Sequence, residues 1–83
     1  MSETIRTLLG KVGGLPVPAA DIAADADLYA LGLTSFASVQ VMLALEEAFD
    51  IEFPDHLLNR KSFASIEAIE RVVGQILGDR KVA

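Results

Sequence analysis

Apolar residues recur at intervals of three and four positions in three stretches of the chain, and this spacing predicts three longer helices. The first helix follows Ser2, which is a suitable N-cap, and ends where Gly13 and Gly14 interrupt the pattern. The last helix follows Ser65 as its N-cap and is expected to end at Gly78. The apolar positions of these two helices are Ile5, Leu8, Leu9, Val12, Ile66, Ile69, Val72, Val73, Ile76 and Leu77.

The middle helix is predicted from about Ser35 to Asp50, with Thr34 or Ser35 as its cap, and it has two apolar sides. At about 100° per residue, one side gathers the core residues Val41, Met42, Leu45 and Phe49. The opposite side, called the ridge below, consists of Phe36, Val39 and Leu43. The ridge is flanked by Gln40, Glu46, Glu47 and Asp50. Such a patch predicts an interaction surface, and packing of its first two residues under the preceding loop is the alternative.

The connection between the first two helices is predicted to be a long ordered loop, in which Pro16 and Pro18 impose extended conformations. Three apolar side chains are expected to fix it to the core, namely Ile22, Leu28 and Leu31. Its aspartates lack the glycine and the terminal glutamate of an EF-hand loop at the required spacings, which argues against a calcium site.

The segment after the middle helix contains Pro54, which cannot continue a helix and favours a fresh short helix over residues 56–60. No alternation typical of β-strands is present. The predicted fold is therefore all-α, a four-helix bundle with three longer helices, one short helix and a long first loop. At this length, one domain spanning residues 1–83 is expected.

Composition narrows the range of functions. The net charge of −5 argues against binding to nucleic acid or anionic membranes and favours basic protein partners. Cysteine is absent, so disulfides are excluded and any thiol chemistry has to come from an attached group. The apolar stretch near the N-terminus is too short for a signal peptide or a membrane span, and a cytoplasmic, monomeric protein is expected.

Ser35 stands at the predicted junction of loop and helix, but its surroundings do not resemble a hydrolase site. Its neighbours lack the G-x-S-x-G pattern, and His56 is the single histidine, so neither a catalytic triad nor a metal site is expected. A serine here is explained by capping alone. Alternatively, a phosphate ester on its hydroxyl would place an anion at the positive end of the helix, beside a ridge that a modifying enzyme could bind.

The segment LGLTSF, followed by VxVMLALEEAFDIEFPD, resembles the acyl carrier protein family over most of the chain. The resemblance implies that Ser35 carries 4′-phosphopantetheine, attached from coenzyme A by a phosphopantetheinyl transferase. The arm would supply the thiol that the chain lacks. The resemblance also implies that the surface facing partner enzymes includes Phe36, Val39, Leu43, Glu46 and Glu47, with the adjoining Thr34 and Gln40.

The chain departs from the usual acyl carrier pattern at two places. Thr34 replaces the aspartate that usually precedes the serine, an aspartate that peptidyl carriers also lack. Arg60 and Lys61 put positive charge beside the expected path of the arm. The stretches GLTSFASVQ and LLNRKSFASI are most similar to stand-alone bacterial aminoacyl carrier proteins. That similarity implies glycine or alanine as thioester cargo. It also implies loading by an amino acid:carrier protein ligase related to class II aminoacyl-tRNA synthetases, with an unidentified downstream acceptor.

Two alternatives remain open. Within the carrier class, the cargo is a fatty acyl, polyketide-type or peptidyl group. Outside it, the chain is a helical protein-interaction module in which Ser35 only caps a helix, whereas an enzyme is not expected. Bulky core residues predict that no cavity for a long acyl chain lies between the helices: Met42, Leu45, Phe49, Phe53 and Phe63.

Overall fold

A computed structural model describes the backbone of residues 1–82 and the side chains of residues 1–78. It contains three α-helices, α1 (Ser2–Val12), α2 (Ser35–Phe49) and α3 (Ile66–Val82). Three 3₁₀ turns lie between them, at Ala19–Asp21, Asp55–Leu57 and Arg60–Phe63. Within residues 1–82 there is no β-strand, so the all-α prediction is confirmed. No helix among the described residues is long and apolar enough to cross a membrane.

The predicted short helix over residues 56–60 is wrong, because this stretch divides into two 3₁₀ turns. Asn59 lies between them in an extended conformation, with φ −146°. Its side-chain oxygen accepts a hydrogen bond from the backbone N–H of Ser62 at 3.1 Å. An extended residue cannot continue the preceding turn, and its side chain caps the next one. One continuous helix is therefore replaced by two single turns.

Two further predictions about helix ends are wrong. Met1 rather than Ser2 is the N-cap of α1, and it makes no side-chain cap hydrogen bond. Gly78 does not end α3, which continues to Val82, since a glycine inside a helix costs only about 1 kcal/mol relative to alanine and no proline follows. By contrast, Ser65 is confirmed as a cap, because its Oγ accepts the Ala68 N–H at 3.0 Å.

The core lies where α1 packs against α2 and α3, and it is aliphatic apart from the Phe53 and Phe63 rings, whose centroids are 5.5 Å apart. The most deeply buried side chains come from all three helices and the first loop, and they are Ile5, Leu9, Leu28, Val41, Leu45, Ile66, Ile69 and Val73. The apolar stripes predicted for α1 and α3 are thus largely buried, whereas only one of the two apolar sides of α2 is buried.

The long first loop is held in place by hydrogen bonds to α1 and to the segment just before α3. The Arg6 guanidinium of α1 donates to the carbonyl oxygens of Ala19 and Ile22, each at 2.7 Å. At the other side, the Leu28 N–H donates to the Ala64 carbonyl at 2.7 Å. Ile22 and Leu28 are buried as predicted, and Leu31 is half-buried against the core. The loop therefore reaches the start of α2 along a fixed path.

Candidate functional site

The turn before α2 determines where Ser35 lies. Gly32 has φ +120°, a conformation that residues with a Cβ rarely adopt. This bend lets Leu33 point into the core, with its N–H bonded to the Leu28 carbonyl at 2.9 Å. Thr34 is then extended. Ser35 is the first residue of α2, and its side chain is exposed. The sequence L-G-L-T-S thus holds this serine at a helix N-terminus in contact with solvent.

Thr34 is the cap of α2. Its Oγ1 accepts a hydrogen bond from the Ala37 N–H at 3.0 Å. The hypothesis that Ser35 serves only as a helix cap is therefore wrong, because the preceding threonine performs that task. The Ser35 hydroxyl takes no part in the cap and is available for chemistry.

An anionic group on Ser35 fits this position. The first N–H groups of an α-helix have no acceptor within the helix, and the aligned peptide dipoles place partial positive charge at this end. Thr34 uses the N–H of Ala37, and the N–H groups of Ser35 and Phe36 precede it in the same turn. A phosphodiester on the Ser35 hydroxyl would lie beside these donors. The local geometry suits attachment of a group through phosphate.

The ridge is exposed along the outer side of α2. Phe36 is 73% exposed, Val39 51% and Leu43 55%. On the opposite side of the helix, Val41 and Leu45 are completely buried. The alternative that the first two ridge residues pack under the loop is therefore wrong. Exposed apolar residues that adjoin one another on a small protein are typical of an interaction surface.

The polar residues around the ridge differ in their surroundings. Gln40 and Glu47 are exposed, whereas Glu46 is half-buried. The Glu46 carboxylate accepts a hydrogen bond from the Phe53 N–H at 2.9 Å. It thereby ties the end of α2 to the extended segment that follows. Of the two glutamates predicted to meet partners, Glu46 already has a structural role within the chain.

An open groove of about 400 Å³ lies between the first turns of α2 and the segment of the two later 3₁₀ turns. It is lined by Tyr29, Ser35, Ser38, Val39, Met42, Leu58, Asn59, Arg60 and Phe63. Across it, the Arg60 guanidinium lies over the Tyr29 ring, 4.0 Å from the ring centroid. Arg60 and Ser35 thus line the same groove, while the adjacent Lys61 is exposed and is not among the lining residues.

Sequence reasoning missed the contribution of Tyr29 to this groove. Tyr29 lies two residues after Asp27, and its N–H donates to the Asp27 carboxylate at 3.0 Å, which stabilises the turn. The available signal was that Tyr29 is the single tyrosine of the chain and lies in a loop otherwise poor in aromatic residues. Met42 and Phe63 were assigned to the core alone, although both also border the groove.

Another hollow, at the other end of α2, is also open. It is about 450 Å³ and is lined by Asp50, Ile51, Glu52 and Ile76. Neither hollow is a closed chamber between the helices. Among the described residues there is no group of three or more His, Asp or Glu side chains that could hold a metal ion.

Residues 3–73 match the protein family described as "Phosphopantetheine attachment site". An exposed serine at a helix N-terminus beside an apolar surface is compatible with attachment of a phosphate-linked arm. The chain belongs to this family and is a carrier protein rather than an enzyme. Its cofactor is 4′-phosphopantetheine, which supplies the terminal thiol on which carriers hold their cargo.

Within the carrier class, the chain is a homologue of aminoacyl carrier proteins. It is 65% identical over 83 residues, the full length of both chains, to the aminoacyl carrier protein of Agrobacterium fabrum strain C58. A similar chain is found in the crystal structure of an engineered Bradyrhizobium japonicum glycine:[carrier protein] ligase complexed with carrier protein from Agrobacterium tumefaciens and AMP. It is 69% identical with a TM-score of 0.87, over 89% of this chain and 99% of that one.

A more distant relative occurs in the crystal structure of Bradyrhizobium japonicum glycine:[carrier protein] ligase complexed with glycylated carrier protein. The matching chain is 32% identical with a TM-score of 0.73, over 86% of this chain and 95% of that one. These similarities confirm the predicted carrier-type fold and the predicted class of aminoacyl carrier proteins.

Proposed function

We propose that Ser35 is the residue that carries 4′-phosphopantetheine, and that the arm holds glycine or alanine as a thioester. The observation that supports Ser35 as the attachment residue is that the two hydroxyl side chains at the start of α2 have different roles. Thr34 caps the helix through its hydroxyl, and Ser35 presents its own hydroxyl to solvent one residue later. The next serine, Ser38, instead donates its hydroxyl to the Ser35 carbonyl at 2.7 Å.

A small amino acid as cargo is supported by two independent observations. Relatives with the same fold occur in complexes with a glycine:[carrier protein] ligase, and one of them is glycylated. In this chain, the Phe53 and Phe63 rings pack together in the core, and the groove beside Ser35 is open to solvent. A long acyl chain needs an enclosed apolar space, whereas an aminoacyl group carries a charged ammonium that is best left in water.

The partners in this proposal are a phosphopantetheinyl transferase and an amino acid:carrier protein ligase related to class II aminoacyl-tRNA synthetases. Both have to approach Ser35, so both would bind the surface around it. The residues proposed for that surface are Thr34, Phe36, Val39, Gln40, Leu43, Glu46, Glu47, Arg60 and Lys61. The exposed ridge supplies apolar area, and Glu47 would attract basic side chains of the partner. Since attachment of the arm uses coenzyme A and loading by the ligase uses ATP, we place the protein in the cytoplasm.

Intact-mass measurement tests the attachment residue. The wild-type chain, Ser35→Ala and the matched control Ser38→Ala are each incubated with coenzyme A and a broadly specific phosphopantetheinyl transferase. We expect the wild type and Ser38→Ala to gain the mass of one arm and Ser35→Ala to gain none. A modified Ser35→Ala protein, or an unmodified wild type, would contradict the proposal.

A competition between two loading enzymes tests the cargo. The arm-bearing protein is offered to an amino acid:carrier protein ligase with glycine or alanine, and in parallel to a fatty-acyl ligase. We expect aminoacylation in the first reaction and little product in the second. Efficient fatty acylation with no aminoacylation would favour the alternative, a carrier of fatty acyl or polyketide-type groups. That result would leave Ser35 as the attachment residue.

A further inference from the structure

The pairing of Tyr29 and Arg60 across the groove is not required by the fold. Arg60 is exposed, and Tyr29 is half-buried. A stacked pair whose guanidinium is exposed contributes only about 0.5–1 kcal/mol, so the contact is a minor source of stability. Its main effect is to hold a cation at one place on the wall of the groove that also contains Ser35.

The Arg60 guanidinium has no anionic partner in the part of the chain with described side chains. The ion pair found there joins Arg71 to Glu67 at 3.7 Å, within α3. The nearest fixed contact of Arg60 is the face of the Tyr29 ring. Stacking occupies the flat face of a guanidinium and leaves its N–H groups at the edge free to donate. A cation held in this way is ready to receive an anion from within the groove.

We propose that Arg60, positioned by Tyr29, binds the phosphodiester on Ser35 and directs the arm into the groove. This inference rests on the proposed function of Ser35 and assigns a positioning role to two residues outside α2. The phosphate of an arm attached at Ser35 is one bond away from the serine oxygen. Its unesterified oxygens therefore lie next to Ser35, and Arg60 lines the same groove.

The remaining lining of the groove suits the neutral part of the arm. The apolar part of the lining consists of Val39, Met42, Leu58 and Phe63, and Asn59 adds a side-chain amide. Pantetheine is a chain of methylene and amide groups, which matches apolar walls with a few polar atoms. The ammonium of an aminoacyl thioester, at the far end of the arm, is best left in water. The arm can therefore lie in the groove while its charged cargo stays in solvent.

The chain contains one tyrosine and no tryptophan, so Tyr29 reports on the groove directly. Arm-free and arm-bearing proteins are compared by tyrosine fluorescence and by NMR of the Tyr29 ring, the Arg60 side-chain N–H groups and the phosphorus nucleus. Addition of the arm should shift the Tyr29 and Arg60 signals. Unfolding the arm-bearing protein in urea gives the reference position of the phosphorus signal for an unbound arm.

Arg60→Gln and Lys61→Gln form a matched pair, because each removes one positive charge from the same turn and only Arg60 lines the groove. In arm-bearing Arg60→Gln, the phosphorus signal should move most of the way to the urea reference, and the Tyr29 response should be lost. Arm-bearing Lys61→Gln should keep the phosphorus and Tyr29 signals of the arm-bearing wild type. Arg60→Lys, which keeps the charge without the planar fork, should restore part of the shift. The differences should shrink as salt rises, because exposed charges are screened over about 8 Å at physiological ionic strength.

Intact mass, measured on every sample, separates the two proposals. If the wild type gains no arm, the proposed function fails and this inference fails with it. If the arm is attached but Tyr29 and Arg60 do not respond, only this inference is overturned. Equal changes in Arg60→Gln and Lys61→Gln would likewise overturn it, because the effect would then come from net charge and not from the groove.

Discussion

The two apolar sides of α2 are made of similar residue types and have opposite surroundings. Val41 and Leu45 are completely buried against the rest of the bundle, whereas Leu43, between them in sequence, is more than half exposed. Position around the helix therefore determines burial, because α1 packs against one side only. Apolar residues on the other side contribute little to folding. Their proposed role is contact with a partner enzyme.

The largest expected effect comes from truncating one leucine on each side. Leu45→Ala leaves a cavity in the core and should lower the free energy of unfolding by about 2–5 kcal/mol. Leu43→Ala removes exposed side chain and should change it by less than about 0.5 kcal/mol, while slowing loading by the partner ligase. Urea denaturation and loading rates measure the two effects. Equal loss of stability in both variants, with loading unchanged, would refute the division into two faces.

The two adjacent glutamates near the end of α2 offer a second comparison between a residue that supports the fold and a residue on the surface. Glu46→Ala removes the acceptor of the Phe53 N–H and should destabilise the protein by about 1–2 kcal/mol. Glu47→Ala should leave stability within about 0.5 kcal/mol of the wild type, and should weaken association with a basic partner at low salt more than at high salt. Denaturation and a salt series of binding measurements distinguish the two roles. Salt-independent weakening by Glu47→Ala would indicate packing in place of charge.

The smallest expected effect separates the two hydroxyl residues at the start of the helix. Thr34→Ala removes the cap and should cost about 1 kcal/mol of stability. Ser35→Ala should cost less than about 0.5 kcal/mol, since its hydroxyl is not part of the cap. Thermal unfolding of the unmodified proteins compares them directly. A larger loss in Ser35→Ala than in Thr34→Ala would show that the capping assignment is wrong.

Periodicity predicted the helices and the buried side of each because packing on a common core repeats with the helical turn. The exposure of Phe36 also followed from its angular position. Interactions between segments distant in sequence could not be predicted in this way. The bond from Glu46 to the Phe53 N–H depends on how the chain turns back after α2. The stacking of Arg60 on Tyr29 depends on the folded loop.

Errors in the local predictions have a different origin. Ser2 and Gly78 are residues that often begin and end helices, but neither does so here. Such preferences amount to about 1 kcal/mol, and the packing of a whole helix face outweighs them. The division of the predicted short helix depends on one side-chain bond from Asn59. Sequence patterns rank such local choices, but they do not determine them.

The bonds of the first loop have a consequence for how cargo travels. Arg6 ties the loop to α1, and the backbone bonds from Leu28 to Ala64 and from Glu67 to Ala24 tie it to the start of α3. Opening the loop therefore requires loosening both helices in one event, and the amides of Leu28 and Glu67 should exchange with deuterium at a common rate. The backbone that supports Ser35 therefore keeps a fixed position in the folded protein. Distance between successive active sites then has to be covered by the swing of the arm and by rotation of the whole carrier.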